Sequence, residues 1–160
     1  MSSGPENKFR KKFCEGVKGA FGRRSYIQKN HGNAFSSGLV DCEFVLSGRV
    51  GFFELKACDG LEWDPSTVTK LQQHTLRQLE EAGANAGVLV YFKTNDAVAS
   101  FPCPAVLDCC RDATARVLGM ERRLHILHLP QPARWIHMDM LFAGEETCQR
   151  VRHLLYMDGV

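Results

Sequence analysis

Asp41, Glu54 and Lys56 are the residues of this 160-residue chain whose types and spacing carry chemistry. Residues 38–58 read GLVDCEFVLSGRVGFFELKAC, with apolar runs at 39–46 and 50–55 broken by Ser47-Gly48-Arg49. A short Gly-containing break between strand-like runs predicts a β-hairpin. Asp41 stands early in the first run and Glu54-Leu55-Lys56 closes the second. Ionisable residues at the ends of otherwise apolar strands have no packing reason to be there. Asp41 and Glu54 lie thirteen positions apart across a tight turn, so their carboxylates can meet at neighbouring strand ends. Two carboxylates there make a hard-oxygen site suited to Mg²⁺ or Mn²⁺. Such an ion polarises a phosphate oxygen and lowers the pKa of a water. Glu54 and Lys56 are two apart and share a strand face, where a lysine can hold an attacking water and offset phosphate charge. Leu55 points the other way and leaves its backbone carbonyl as a further ligand. The competing use of these charges is ion pairing, Glu54 with Lys56 or Asp41 with Arg49.

The flanking chain must position this hairpin. Phe9, Phe13, Val17 and Ala20 recur at helical spacing between lysines and arginines, predicting an amphipathic helix over 6–20 that Gly22 ends. Ser25–Lys29 reads as a short strand, and 31–38, rich in Gly, Ser and Asn, as a loop. After a second loop at 59–66, Ser66 or Thr67 can cap a helix over 68–82, with Leu71, Leu76 and Leu79 on its apolar side and Gly83 as its stop. The unbroken apolar run at 86–92 predicts a buried central strand. Further on, 94–104 reads as a loop around an apolar patch at 97–101. A helix over 105–118, strands over 124–129 and 135–142, and a closing helix over Glu145–Tyr156 complete the chain. The order predicts one α/β domain spanning 1–160 with a mixed sheet, its core at about 6–93 and residues 94–160 an extension of it.

Composition agrees: 44% hydrophobic and 24% charged residues are those of a globular protein. The apolar runs fall short of a membrane span and no signal-peptide pattern opens the chain, so the expectation is a cytoplasmic protein with no membrane partner. Seven cysteines without a CxxC pair point to reduced thiols rather than a disulfide framework. The formal net charge of +2 is unevenly spread. Residues 1–30 hold eight Lys and Arg against Glu6 and Glu15, giving +6 there and −4 elsewhere. A basic N-terminal segment suits a polyanion partner.

The motifs together resemble the PD-(D/E)xK nuclease superfamily, closest to small Holliday-junction resolvases of the RecU and archaeal types and to VRR-NUC nucleases. The resemblance rests on Gly38-Leu39-Val40-Asp41, then Phe52-Phe53-Glu54-Leu55-Lys56, then Leu71-Gln72-Gln73 through Leu76, Leu79 and Ala82-Gly83, and finally the strand at 87–92. It covers about 6–93, and Val40 stands where the family often has Pro. It implies a restriction-endonuclease-like αβββαβ core, with a mixed central sheet flanked by helices. It further implies a metal-dependent DNA endonuclease in which Asp41 and Glu54 hold Mg²⁺ (or Mn²⁺) with the Leu55 carbonyl, Lys56 is the catalytic lysine and Gln72 the assisting helix glutamine. Glu6, with Glu15 second, is the candidate first-helix glutamate. Lys8, Arg10, Lys11, Lys12, Arg23, Arg24 and Lys29 are the expected DNA contacts, Lys29 reaching the active-site face. Branched DNA is the implied substrate and a homodimer the implied assembly.

Other readings are weaker. A zinc module built on His125, His128, His137, Cys103, Cys109 and Cys110 lacks tight paired spacing, and an iron–sulfur site of Cys14 with Cys103, Cys109 and Cys110 has an awkward adjacent pair. A non-catalytic DNA-binding module on a nuclease scaffold would have lost a metal ligand, whereas Asp41, Glu54 and Lys56 are all present. Nothing such as GxSxG marks a serine or cysteine hydrolase.

Overall fold

Pro5, with φ already set for a helix and no N–H to leave unpaired, opens helix α1 (Pro5–Phe21). Its buried stripe of Phe9, Phe13, Cys14, Val17 and Phe21 follows the helical repeat. Gly22, at φ 56°, turns the chain out of the helix. The computed structural model describes residues 4–30, 40–111, 124–125, 135–141 and 144–156.

Strands β1 (Ser25–Lys29), β2 (Cys42–Leu46) and β3 (Arg49–Cys58) form an antiparallel meander. The β2–β3 turn is the two-residue link Ser47-Gly48 with both φ positive, 52° and 84°. That is the turn class whose twist matches a hairpin. A short ribbon pairs β4 (Glu62–Trp63) with β7 (Leu124–His125). Helix α2 (Lys70–Glu81) then crosses over to β5 (Asn85–Phe92), which runs parallel to β3. The expected αβββαβ order is therefore present. Beyond it, β6 (Ala97–Pro102), helix α3 (Cys103–Arg111), β8 (Trp135–His137) and helix α4 (Glu145–Tyr156) follow. The result is a mixed six-stranded sheet in the order β1-β2-β3-β5-β6-β8, flanked by helices.

Strand alternation sorts the core into two layers. Phe44, Phe53, Leu55 and Leu89 pack with Phe9, Phe13 and Val17 of α1 and with Val151, Leu154 and Leu155 of α4. On the other face Val88, Val90, Phe92 and Ala99 pack with Leu76 of α2 and with Val106 and Leu107 of α3. Val88, Leu89 and Val90 are all fully buried, as befits a strand covered on both sides.

Several expectations need correction. The patch at 97–101, read as part of a loop, is the core of β6, fully paired with β5. Its small Ala and Ser residues carry little hydrophobic signal, yet they are buried where β6 runs between β5 and β8. A Cβ at Gly87 would meet the Phe101 carbonyl oxygen at 2.5 Å. The α2 cap is Thr69, not Ser66 or Thr67. Asp64 accepts from the Ser66 N–H in a separate 3-10 turn. Leu71, placed on the apolar side of that helix, is 49% exposed. Strand β8 stops at His137, where Met138–Met140 form a 3-10 turn. The loop at 31–38, the helix beyond Arg111 and the strand beyond His125 lie outside the described residues.

Candidate active site

The β2–β3 ladder ends at the pair Cys42↔Phe53. Two residues further the regular pattern would join the Leu55 N–H to the Val40 carbonyl. Instead that N–H donates to Asp41 Oδ2 at 2.8 Å. The Val40 carbonyl accepts from Asn30 Nδ2 at 2.8 Å, and the Asn30 N–H donates to the Asp41 carbonyl at 2.8 Å. Asn30 thus keeps the backbone of 40–41 on the β1 side while the Asp41 side chain takes the place of a strand bond. In an extended strand the N–H and C=O of one residue point to the same side, so the Leu55 carbonyl also faces this gap.

Glu54 lies directly across from Asp41, one step past Cys42↔Phe53, and opposed residues share a face. Lys56, two further on, shares it too and is half-buried. This is the α2 face of the sheet, the one that Phe52 and Cys58 also occupy. Helix α2 reaches it through Gln72. The Gln72 Nε2 donates to Glu54 Oε2 at 3.0 Å, while its Oε1 accepts from the Thr69 N–H at 2.9 Å. The Thr69 hydroxyl in turn accepts from the Gln72 N–H, completing a capping box. The cap therefore fixes the amide that holds Glu54. Gln73 turns away to the Val68 carbonyl.

Glu54 is 1% exposed. Burial, then the charge and carboxyl contact of Asp41, push its pKa up to about 9, with Lys56 pulling the other way and Glu6 adding a smaller repulsion. Its Oε1 is buried with no hydrogen-bond partner among the described residues. A buried carboxylate oxygen in that position calls for a proton or a cation. The donor set of Asp41, Glu54 and the Leu55 carbonyl is all oxygen, which fits a hard divalent ion. Among the described residues no group of three His, Cys, Asp or Glu side chains stands at ligand spacing, and Glu6 is near enough to Glu54 to repel its charge. It lines a furrow of about 240 Å³ with Gly4, Pro5, Asn7 and Ala57. Glu15 sits more than two turns further along α1, exposed.

The expected basic contacts divide. Lys8 and Lys12 line an open cleft beside the N-terminal half of α1, Lys11 is exposed nearby, and Arg10 donates to Asn7 Oδ1. Arg23 and Arg24 follow the far end of α1, roughly 25 Å from its start at 1.5 Å per residue. Arg24 is also engaged by Glu145 at 3.7 Å and by the Phe21 ring. Lys29 pairs in register with Cys42, which puts it on the α1 face, opposite Glu54 and Lys56. The expectation that it reaches the active-site face is not met.

The competing ligand sets come apart as well. Cys14 and Cys103 belong to core layers on opposite faces of the sheet. The Cys103 and Cys110 thiols donate to the Leu76 and Pro65 carbonyls, and His137 Nδ1 is bonded to the Asn95 carbonyl. His128 and the His125 side chain lie outside the described structure. Arg49 stacks on Tyr156 at the hairpin end of β3, away from Asp41. Sequence reasoning missed Asn30 and Thr69. Thr69-x-x-Gln72 is a capping-box signature that was there to be read, whereas nothing local marks Asn30.

No protein-family model matches the chain, and no curated protein sequence matches it. Among solved structures it is similar to that of Archaeoglobus fulgidus Hjc, a Holliday junction resolvase from an archaeal hyperthermophile. The identity is 16%, over 63% of this chain and 75% of that one, with a TM-score of 0.47.

Proposed function

We propose that this protein is a metal-dependent endonuclease that hydrolyses DNA phosphodiester bonds. The observation that carries the reading is the buried Glu54 carboxyl, its Oε1 unpartnered, set against Asp41 and held by Gln72. Asp41, Glu54 and the Leu55 carbonyl would hold Mg²⁺ or Mn²⁺. When bound, the ion supplies Lewis acidity toward a phosphate oxygen and makes a nearby water easier to deprotonate. Lys56, on the same face as Glu54, orients the attacking water and offsets charge on the phosphate. Gln72, being neutral, fixes the Glu54 oxygen without repelling a phosphate. Lys8, Lys11 and Lys12 contact backbone phosphates. A preference for branched DNA, and a homodimer making paired cuts, rest on the likeness of the motifs at 38–41, 52–56 and 71–83 to those of small resolvases.

The test is a cleavage panel of four-way junctions, flaps, nicked and linear duplexes and single strands, with and without Mg²⁺ or Mn²⁺. Metal-dependent cutting is expected, lost by at least about a hundredfold in Lys56→Ala with DNA binding retained. No cleavage of any substrate with either ion would overturn the enzyme reading and favour a non-catalytic DNA-binding module.

A further inference from the structure

β5 ends at an open cleft of about 460 Å³ whose aromatic floor and whose Lys93 the nuclease reading leaves without a task. Its floor is aromatic and apolar: Tyr91 stacks on the buried Phe9 at 5.2 Å with 15° between the rings, and Met138 lies beside them. The Tyr91 hydroxyl donates to Asp96 Oδ1 at 2.7 Å, which fixes the ring. The walls are cationic. Lys8 and Lys12 stand one turn apart on α1, both exposed and neither ion-paired among the described residues. Lys93 faces them from the turn after β5. It pairs with Asp59 at 3.1 Å, but Asp59 is 88% exposed, and such pairs exchange partners at little cost.

Ammonium groups over a flat aromatic floor match a ligand that carries phosphate on one side and a π-face on the other. Inorganic phosphate alone would leave the floor unused. The location narrows the choice further. Ala57 pairs in register with Tyr91, one step past Lys56↔Val90, so the cleft begins where the candidate active site ends, on the opposite face of the sheet. The furrow lined by Glu6 and Ala57 shares Pro5 with the cleft, and Ala57 is the chain neighbour of Lys56. A strand leaving Lys56 can pass over the end of β3 along this furrow. Bases inside a duplex are stacked on each other and offer no free face, so the strand entering must be unpaired.

We propose that the Lys8–Lys12–Lys93 cleft binds unpaired nucleotides continuous with the DNA at the active site, a base against the Tyr91–Phe9 floor and phosphates between the lysines. This rests on the nuclease reading and sharpens its substrate class: DNA with a single-stranded tail or flap beside a duplex, in preference to fully paired DNA.

The test is fluorescence anisotropy of the full chain in EDTA, where nothing is cut, with blunt duplex, 5′-tailed, 3′-tailed and abasic-tailed duplexes. Wild type is expected to bind one tailed duplex about tenfold more tightly than blunt DNA, and the abasic tail with most of that preference lost. Lys93→Ala and Tyr91→Leu should bring the ratio close to one while leaving blunt-duplex binding within about twofold. Tyr91→Phe, which keeps the ring, should retain the preference and controls for folding. Equal binding of tailed and blunt DNA, or a preference untouched by Lys93→Ala or by removing the tail bases, overturns the cleft proposal and leaves the nuclease reading standing. Binding of no DNA at all overturns both.

Discussion

At the scale of residues, the decisive feature is a carboxyl whose proton is hard to remove. Glu54 is pushed up to about 9 by burial and by Asp41, so the folded protein keeps a proton that the unfolded chain releases near the ordinary glutamate value. Its contribution to stability is complete below about pH 4.5 and is lost as the pH rises toward 9. Metal-free wild type should therefore lose melting temperature over that window relative to Glu54→Gln, and Mg²⁺ should restore more stability at pH 8.5 than at pH 6, because the ion replaces the proton. Parallel melting curves for the two proteins across the window would contradict the assignment. Asp41 has two tasks that substitutions can separate. Asp41→Asn keeps an acceptor for the Leu55 N–H and should fold as well as wild type while losing cleavage. Asp41→Ala leaves that donor unpaired and should cost a further ~1–3 kcal/mol in denaturant unfolding.

At the scale of elements, α2 is tied to the site through its own cap. Gln72 serves the capping box with Oε1 and Glu54 with Nε2, so helix start and carboxylate position are one hydrogen-bonded chain. Thr69→Ala removes the cap at a cost of about 1 kcal/mol and frees the Gln72 amide. It should lower the turnover number by more than that loss of stability explains, and Thr69→Ser should recover both. If Thr69→Ala melts lower but cuts at the wild-type rate, the cap is structural only. The β2–β3 hairpin shows the same economy of parts. Its Ser47-Gly48 turn sets the register, and the register sets Asp41 opposite Glu54.

At the scale of the whole molecule, the charge that the sequence concentrates in residues 1–30 is spread along helix α1 and past its C-terminal end. Only part of it, Lys8 and Lys12, lines the cleft beside the N-terminal half of α1. Lys11→Ala is expected to reduce the salt slope of DNA binding by about one, measured by anisotropy between low and moderate salt in EDTA. Arg24→Ala should leave the slope unchanged and lower stability slightly, since Arg24 is engaged by Glu145 and Phe21. Equal effects of the two substitutions would mean that DNA follows the full length of α1. Residues past 93 take part in the same body: β6 and β8 extend the sheet, and α4 fills the α1-side core with Cys148, Val151, Leu154 and Leu155.

Periodicity and turn chemistry were legible along the chain. The strand at Ser25–Lys29 and the helix at Glu145–Tyr156 lie where their patterns predict, and the αβββαβ order follows from apolar runs of the right lengths. That Asp41 and Glu54 meet at neighbouring strand ends was legible too, but their direct opposition comes from the two-residue turn Ser47-Gly48, not from the three-residue break that the apolar runs suggest. Local pattern could not reveal β6, whose Ala and Ser residues become core only because the strand is paired on both sides, with β5 and with β8. Nor could it show on which face Lys29 lies, since that depends on pairing across the loop at 31–38. The environment of Glu54 is likewise tertiary. Its type and position are in the sequence, but its loss of water, its unpartnered oxygen and its raised pKa arise only when strand, hairpin and capped helix close around it.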